Sequence, residues 1–122
     1  MILKTGVDII EISRIQAAFN RHGERFLKRI FTDMEVFECR GRAEALAVRF
    51  AAKEAASKAL GTGIGPICWR DVETLHKWSG EPYLVLHDAA KRIAEERGLA
   101  VWAVSLSHSR ENAIAVVVAS SE

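Results

Sequence analysis

Residues 43 to 60 read AEALAVRFAAKEAASKAL, an eighteen-residue run with eight alanines and no glycine or proline. Alanine has the highest helix propensity of any residue, and Gly61 directly after the run supplies a C-terminal stop. The run therefore predicts one helix from Ala43 to Leu60, about 27 Å long. Everything else must pack around it. Glu54 and Lys58 are four residues apart and share a face of this helix with Ala47, Phe50 and Ala51, so the face is partly buried. By spacing alone, Glu54 and Lys58 also read as an ordinary ion pair worth a few tenths of a kcal/mol. The helix runs into Gly61-Thr62-Gly63-Ile64-Gly65-Pro66, whose glycines let a ligand approach the backbone closely. A helix C-terminus is the unfavourable dipole end for a phosphate, so the arrangement is no P-loop, and Lys58 must supply the positive charge.

Shorter elements flank the helix. Residues 2 to 10 predict a strand with Val7 and Ile9 on one face and Asp8 and Ile10 on the other. Ser13 with Gln16, and Thr32 with Glu35, fit capping boxes, so helices are expected from Arg14 and after Thr32. Gly23 breaks the first into two pieces. Residues 72–77 and 82–86 predict two strands joined across Ser79-Gly80. Asp88 is expected to cap a short helix closed by Gly98. Two more strands, 100–106 and 113–119, enclose a polar connection from Ser107 to Asn112. Trp69, Trp78 and Trp102 are read as packing residues, and His22, His76 and His87 as surface residues. With no repeat or linker, residues 1–122 form a single α+β domain, an antiparallel sheet packed with the long helix.

Composition narrows the function classes. Hydrophobic residues make up 49% and charged residues 27% of the chain, the mixture of a globular domain. Lys and Arg number 17 against 16 Asp and Glu, so there is no global field for nucleic acid, and none is expected as a partner. The positive charge is local: Arg14, Arg21, Arg25, Lys28 and Arg29 face only Glu24. No apolar run approaches the roughly 20 residues of a membrane span. MILKTGVDII lacks a signal-peptide pattern, which makes a cytoplasmic location the expectation. Cys39 and Cys68 form no metal or disulfide framework and are read as small apolar residues.

Asp8 in isolation is an ordinary strand residue. Beside Glu54 it becomes half of an incomplete magnesium site, because Mg²⁺ keeps water and borrows substrate oxygens. His108 lies between Ser107 and Ser109 among hydrogen-bonding groups; it reads equally well as a turn histidine without function.

In this order, three motifs resemble the small 4'-phosphopantetheinyl transferases of the holo-[acyl-carrier-protein] synthase family. Gly6-Val7-Asp8-Ile9 resembles the N-terminal motif. Arg49 to Gly63, RFAAKEAASKALGTG, resembles the signature helix and loop, and Ser105-Leu106-Ser107-His108-Ser109 the third motif. The resemblance implies transfer of 4'-phosphopantetheine from coenzyme A to a serine of apo acyl carrier protein, releasing adenosine 3',5'-bisphosphate in fatty acid biosynthesis. It implies catalytic roles for Asp8, Glu54 and Lys58, with Mg²⁺ on Asp8 and Glu54. Coenzyme A would meet Lys58, Gly61, Gly63, Ser107 and His108, the last two at the nucleotide end. It also implies docking of the carrier on Arg14, Arg21, Arg25 and Lys28, and a homotrimer with coenzyme A in clefts between protomers. The group that takes the serine proton stays open between Glu54, through a metal-bound water, and His108 behind it. A non-enzymatic module holding an acidic protein or RNA on the basic helix is the alternative, and a magnesium nuclease, which would want a broader basic surface, is a second rival.

Overall fold

The computed structural model describes residues 1–122. The alanine-rich run forms one helix, α4 (Ala43–Leu60), with the boundaries its composition predicts. Gly61 follows in the left-handed region at φ 84°. The helix is buried on nearly every side: Ala47, Ala51, Ala52, Ala55, Ala56 and Ala59 are all at most 2% exposed. Small side chains are what permit this, since they let neighbouring elements come close from several directions. Its less buried stripe carries Phe50, Glu54 and Lys58.

Around α4 the chain runs β1 (Leu3–Glu11), α1 (Ile12–His22), α2 (Glu24–Ile30), α3 (Asp33–Cys39), then after α4 β2 (Val72–His76), β3 (Pro82–Leu86), α5 (Asp88–Glu96), β4 (Val101–His108) and β5 (Asn112–Ser120). β1, β5 and β4 form an antiparallel sheet in the order β1-β5-β4, and β2 and β3 form a separate antiparallel pair. The α+β reading holds. Ala113, Ala115, Val117 and Ala119 of β5 alternate inward and are fully buried. Asp8 pairs with Ala115, so it lies on the face turned to α4.

β1 reaches α4 because residue 6 is glycine. A Cβ there would stand 1.9 Å from the carbonyl oxygen of Ala55 and 3.1 Å from the amide nitrogen of Ala59. Both are backbone atoms that cannot move aside. The opposite face of the sheet is apolar and uncovered, with Leu3, Val7, Ile9, Val101, Val116 and Val118 exposed.

A charged pair ties the second side of the core together. Lys53 Nζ donates to Glu35 Oε1 at 2.7 Å and to the carbonyl of Val72 at 2.5 Å, and both side chains are fully buried. Glu35 also accepts from the amides of Thr32 and Thr74. The expected Thr32–Glu35 capping box is present, and its carboxylate does double duty as the counter-ion of Lys53. Burial pushes the Lys53 pKa down, against the pull of Glu35.

Several local expectations change. Ser13 does not cap a helix: α1 starts at Ile12 with no side-chain cap, because the β1 ladder runs straight into it and the Ile12 amide donates to Glu111. Asp88 is the first residue of α5, in a left-handed conformation, and makes no cap bond. Trp78 is 95% exposed at the β2–β3 hairpin rather than packed; Trp69 does pack, stacked on Phe50 with ring centroids 4.7 Å apart. Cys39 is buried, its thiol pushed up to about 11 by burial, while Cys68 is exposed. His76 and His87 are half-buried and engaged with Glu38 and Glu73 rather than free at the surface. No helix is long and apolar enough to cross a membrane.

Candidate active site

Gly6 determines where Asp8 stands. Two residues further along the same face of β1, its carboxylate, 20% exposed, meets the open stripe of α4. Lys58 reaches across to β1: Nζ donates to the carbonyl of Val7 at 2.8 Å and lies 3.5 Å from Asp8 Oδ1. The expected Glu54–Lys58 ion pair is therefore not the main contact of Lys58. Glu54, one turn earlier on α4, has its pKa raised by partial burial and then by the charge of Asp8, with Lys58 opposing. Two carboxylates and one ammonium thus share a partly dried site with an excess of negative charge.

That donor set fits a hard divalent cation. No group of three or more His, Cys, Asp or Glu side chains gathers anywhere that could hold a metal from protein alone, whereas Mg²⁺ needs only one or two carboxylates and takes its remaining oxygens from substrate and water. The repulsion from Asp8 that adds to burial in raising the Glu54 pKa is what a cation between the carboxylates would relieve.

The glycine loop is used differently from the simplest expectation. The amides of Gly61, Thr62 and Gly63 all turn back onto the carbonyl of Ser57, at 3.0, 3.1 and 3.2 Å. They close the end of α4. What the loop offers a ligand is bare Cα surface; a Cβ at Gly63 would meet nothing within 4 Å.

Ser107 and His108 lie elsewhere. They are the last two residues of β4 instead of part of the turn, both exposed. They line a cavity of about 540 Å³ with Arg40, Arg42 and His76, and with Glu38, which pairs with Arg49, and Glu44. This cavity flanks the N-terminal half of α4, and the ten helical steps from Glu44 to Glu54 span about 15 Å. Asp8, Glu54, Lys58 and Gly61 come together within one protomer; Ser107 and His108 do not join them.

Sequence reading missed Arg40 and Arg42 of this cavity and gave Arg49 only as the first residue of the signature motif. Arg49, 3% exposed, donates to Thr74 O, Ala45 O, Glu38 Oε1 and His76 Nδ1. The backbone amide of His76 also donates to Glu38 Oε1, at 3.2 Å. The Arg40-x-Arg42 spacing ahead of the long helix was the visible signal. Arg14, Arg21, Arg25 and Lys28 are all exposed and in no ion pair. Arg25 and Arg29 rim a depression of about 610 Å³ floored by Phe26, Ile30 and Trp69.

Residues 4–117 match the model of the 4'-phosphopantetheinyl transferase superfamily. The chain is 50% identical to the holo-[acyl-carrier-protein] synthase of Herpetosiphon aurantiacus, over 96% of this chain and 98% of that protein. Identity to the enzyme of the same name from Moorella thermoacetica is 45%, covering 98% and 95%. Among solved structures, Helicobacter pylori holo-[acyl-carrier-protein] synthase in complex with coenzyme A superposes with a TM-score of 0.88 at 33% identity, covering 95% of this chain and 99% of that one.

Proposed function

This chain belongs to the 4'-phosphopantetheinyl transferase superfamily, and we propose from that premise that Asp8, Glu54 and Lys58 are its reaction centre. The enzyme transfers 4'-phosphopantetheine from coenzyme A to a serine of apo acyl carrier protein, a step in fatty acid synthesis. The serine oxygen forms a bond to the phosphorus that carries pantetheine; the bond from that phosphorus to the other half of the diphosphate breaks, and adenosine 3',5'-bisphosphate leaves.

The observation that carries the assignment is the convergence of Lys58 on Asp8 and Val7, beside a Glu54 carboxylate whose pKa is raised. Phosphoryl transfer asks a protein mainly for positioning and charge neutralisation. Asp8 and Glu54 are the residues to hold Mg²⁺, which when bound supplies positive charge to the diphosphate. Lys58 contributes a second positive charge and orients the phosphates, and the bare surface at Gly61 and Gly63 leaves room for them. Glu54, acting through a water on the cation it would hold, is the group placed at the reaction centre to take the serine proton. His108 is at the other end of α4, which supports a role in binding rather than as base.

Coenzyme A carries a third phosphate on its nucleotide, and the Arg40–Arg42 cavity beside Ser107 and His108 has the charge for it. Within one protomer that cavity and Lys58 lie toward opposite ends of α4. A homotrimer, with the apolar outer face of the sheet packed between copies, would cover Leu3, Val7, Ile9 and Val116 and supply a second wall to the cleft. The unpaired cations Arg14, Arg21, Arg25 and Lys28 suit an acidic carrier. All 122 residues then form one transferase domain, working in the cytoplasm. A module that merely held an acidic protein or RNA would leave Asp8, Glu54 and His108 idle.

The test is to incubate the protein with coenzyme A, Mg²⁺ and apo carrier protein and to weigh the carrier by mass spectrometry. Gain of one phosphopantetheine group is expected; an unmodified carrier under conditions where a known transferase works would refute the reading.

A further inference from the structure

The C-terminus of α4 carries a partial negative charge from its unsatisfied carbonyls, the wrong sign beside a diphosphate. The glycine loop satisfies Ser57 and Lys58 by backbone amides. Amides close the hydrogen bonds but add no net charge. The last carbonyl, Leu60, accepts from a side chain instead: Arg97 Nη1, from the residue that follows α5. Arg97 engages no carboxylate in any ion pair. Its guanidinium lies against Gly61, where a Cβ would come within 2.9 Å of Nη1. Residue 61 is thus bare on the side from which Arg97 approaches, as well as left-handed. Arg97, Lys4, Lys58 and Gly61 line one depression of about 520 Å³, with Leu60 and Leu99 among its apolar residues.

From this arrangement we infer that Arg97 is a positioning residue for coenzyme A: its full positive charge on the Leu60 carbonyl cancels the negative end of α4 where the diphosphate must lie beside Lys58. The inference rests on the reaction centre proposed above. It assigns to Arg97 no contact with the reacting atoms; the guanidinium acts through the helix end and the loop it braces. Charge is the operative property, so a lysine at 97 should serve nearly as well as arginine, and a neutral residue of similar length should not.

Arg97→Gln and Arg97→Lys, compared with wild type by titration calorimetry of coenzyme A in the presence of Mg²⁺ and by steady-state kinetics, test this. Loss of a charge at a helix terminus is expected to weaken coenzyme A binding about three- to tenfold in Arg97→Gln. The KM for coenzyme A should rise in step, while the KM for carrier and kcat stay as in wild type. Arg97→Lys should recover most of the affinity. A lowered melting temperature in Arg97→Gln with unchanged coenzyme A affinity would reduce Arg97 to a structural cap and overturn the inference, as would equal losses in both variants. Failure of wild type to modify the carrier while it still binds coenzyme A would strike the transferase reading alone, since the calorimetric comparison of the variants stands without turnover.

Discussion

Replacing Gly6 by alanine would insert a methyl group 1.9 Å from the Ala55 carbonyl oxygen and 2.8 Å from its carbon. The closest tolerated carbon–oxygen approach is about 3.3 Å, so β1 and α4 would have to separate by about 1.4 Å. The colliding atoms are backbone in the middle of a buried helix, and no side-chain rotation relieves the clash. Overpacking of this kind costs about 1–3 kcal/mol, which for a domain of this size lowers the melting temperature by roughly 10 °C at the upper end. Activity should suffer more than stability. Asp8 moves with β1 while Glu54 and Lys58 move with α4, and a displacement of about 1 Å between reacting groups can cost about 100-fold in rate. Carrier modification followed by mass spectrometry at a temperature well below the transition, paired with a thermal melt, measures both effects. Gly80→Ala is the control: it has a positive φ of 93° but open space around it, so only the backbone cost of about 1–2 kcal/mol applies and activity should persist. A Gly6→Ala enzyme with wild-type rate and melting temperature would refute the claim that glycine is what brings Asp8 to Glu54.

Three further outcomes are expected. Asp8→Ala and Glu54→Ala should each abolish transfer without lowering the melting temperature appreciably; full activity of Asp8→Ala at ordinary Mg²⁺ would contradict the shared-cation site. In metal-free protein, Glu54 should titrate above the ordinary glutamate range, and Asp8→Asn should bring it down part of the way, since burial remains. Because the folded-state pKa is raised, ionised Glu54 costs stability at neutral pH, and that cost is relieved as pH falls through the folded pKa. Carbon-13 NMR of the Glu54 carboxyl reads the titration directly. Reversing Arg14 or Arg21 to Glu should raise the KM for carrier and leave that for coenzyme A nearly unchanged, with added salt weakening wild type more than the variant; a rise in the coenzyme A KM alone would assign these residues to the nucleotide site.

The sequence was most legible where structure is set by neighbours in the chain. The limits of α4 follow from alanine propensity and a glycine stop, and the Thr32–Glu35 box from residues three apart. The Ser13 box had the same local pattern and failed, because the Ile12 amide was already committed to Glu111 across the sheet. Long-range partnerships were invisible for the same reason. Nothing near Lys53 or Glu35 announces that they meet in the core across eighteen residues of chain, and nothing near Trp78 says that the hairpin leaves it in solvent. Asp8, Glu54 and Lys58 were identifiable as residues; that Lys58 bonds to β1 rather than to Glu54 depends on the close crossing that Gly6 allows. Arg97 was unreadable as a contributor, since its target is a backbone carbonyl on another helix.

The decisive point is whether the diphosphate and the cation lie at Asp8, Glu54 and Lys58. A crystal grown with coenzyme A and Mn²⁺ in place of Mg²⁺ decides it through the anomalous signal of manganese. The expected peak lies within bonding distance, about 2.1 Å, of a carboxylate oxygen from both Asp8 and Glu54, with the diphosphate against Lys58 and the nucleotide phosphate among Arg40, Arg42 and His108. A manganese peak bound to the diphosphate but remote from either carboxylate, or a diphosphate seated in the Arg40–Arg42 cavity, would contradict it.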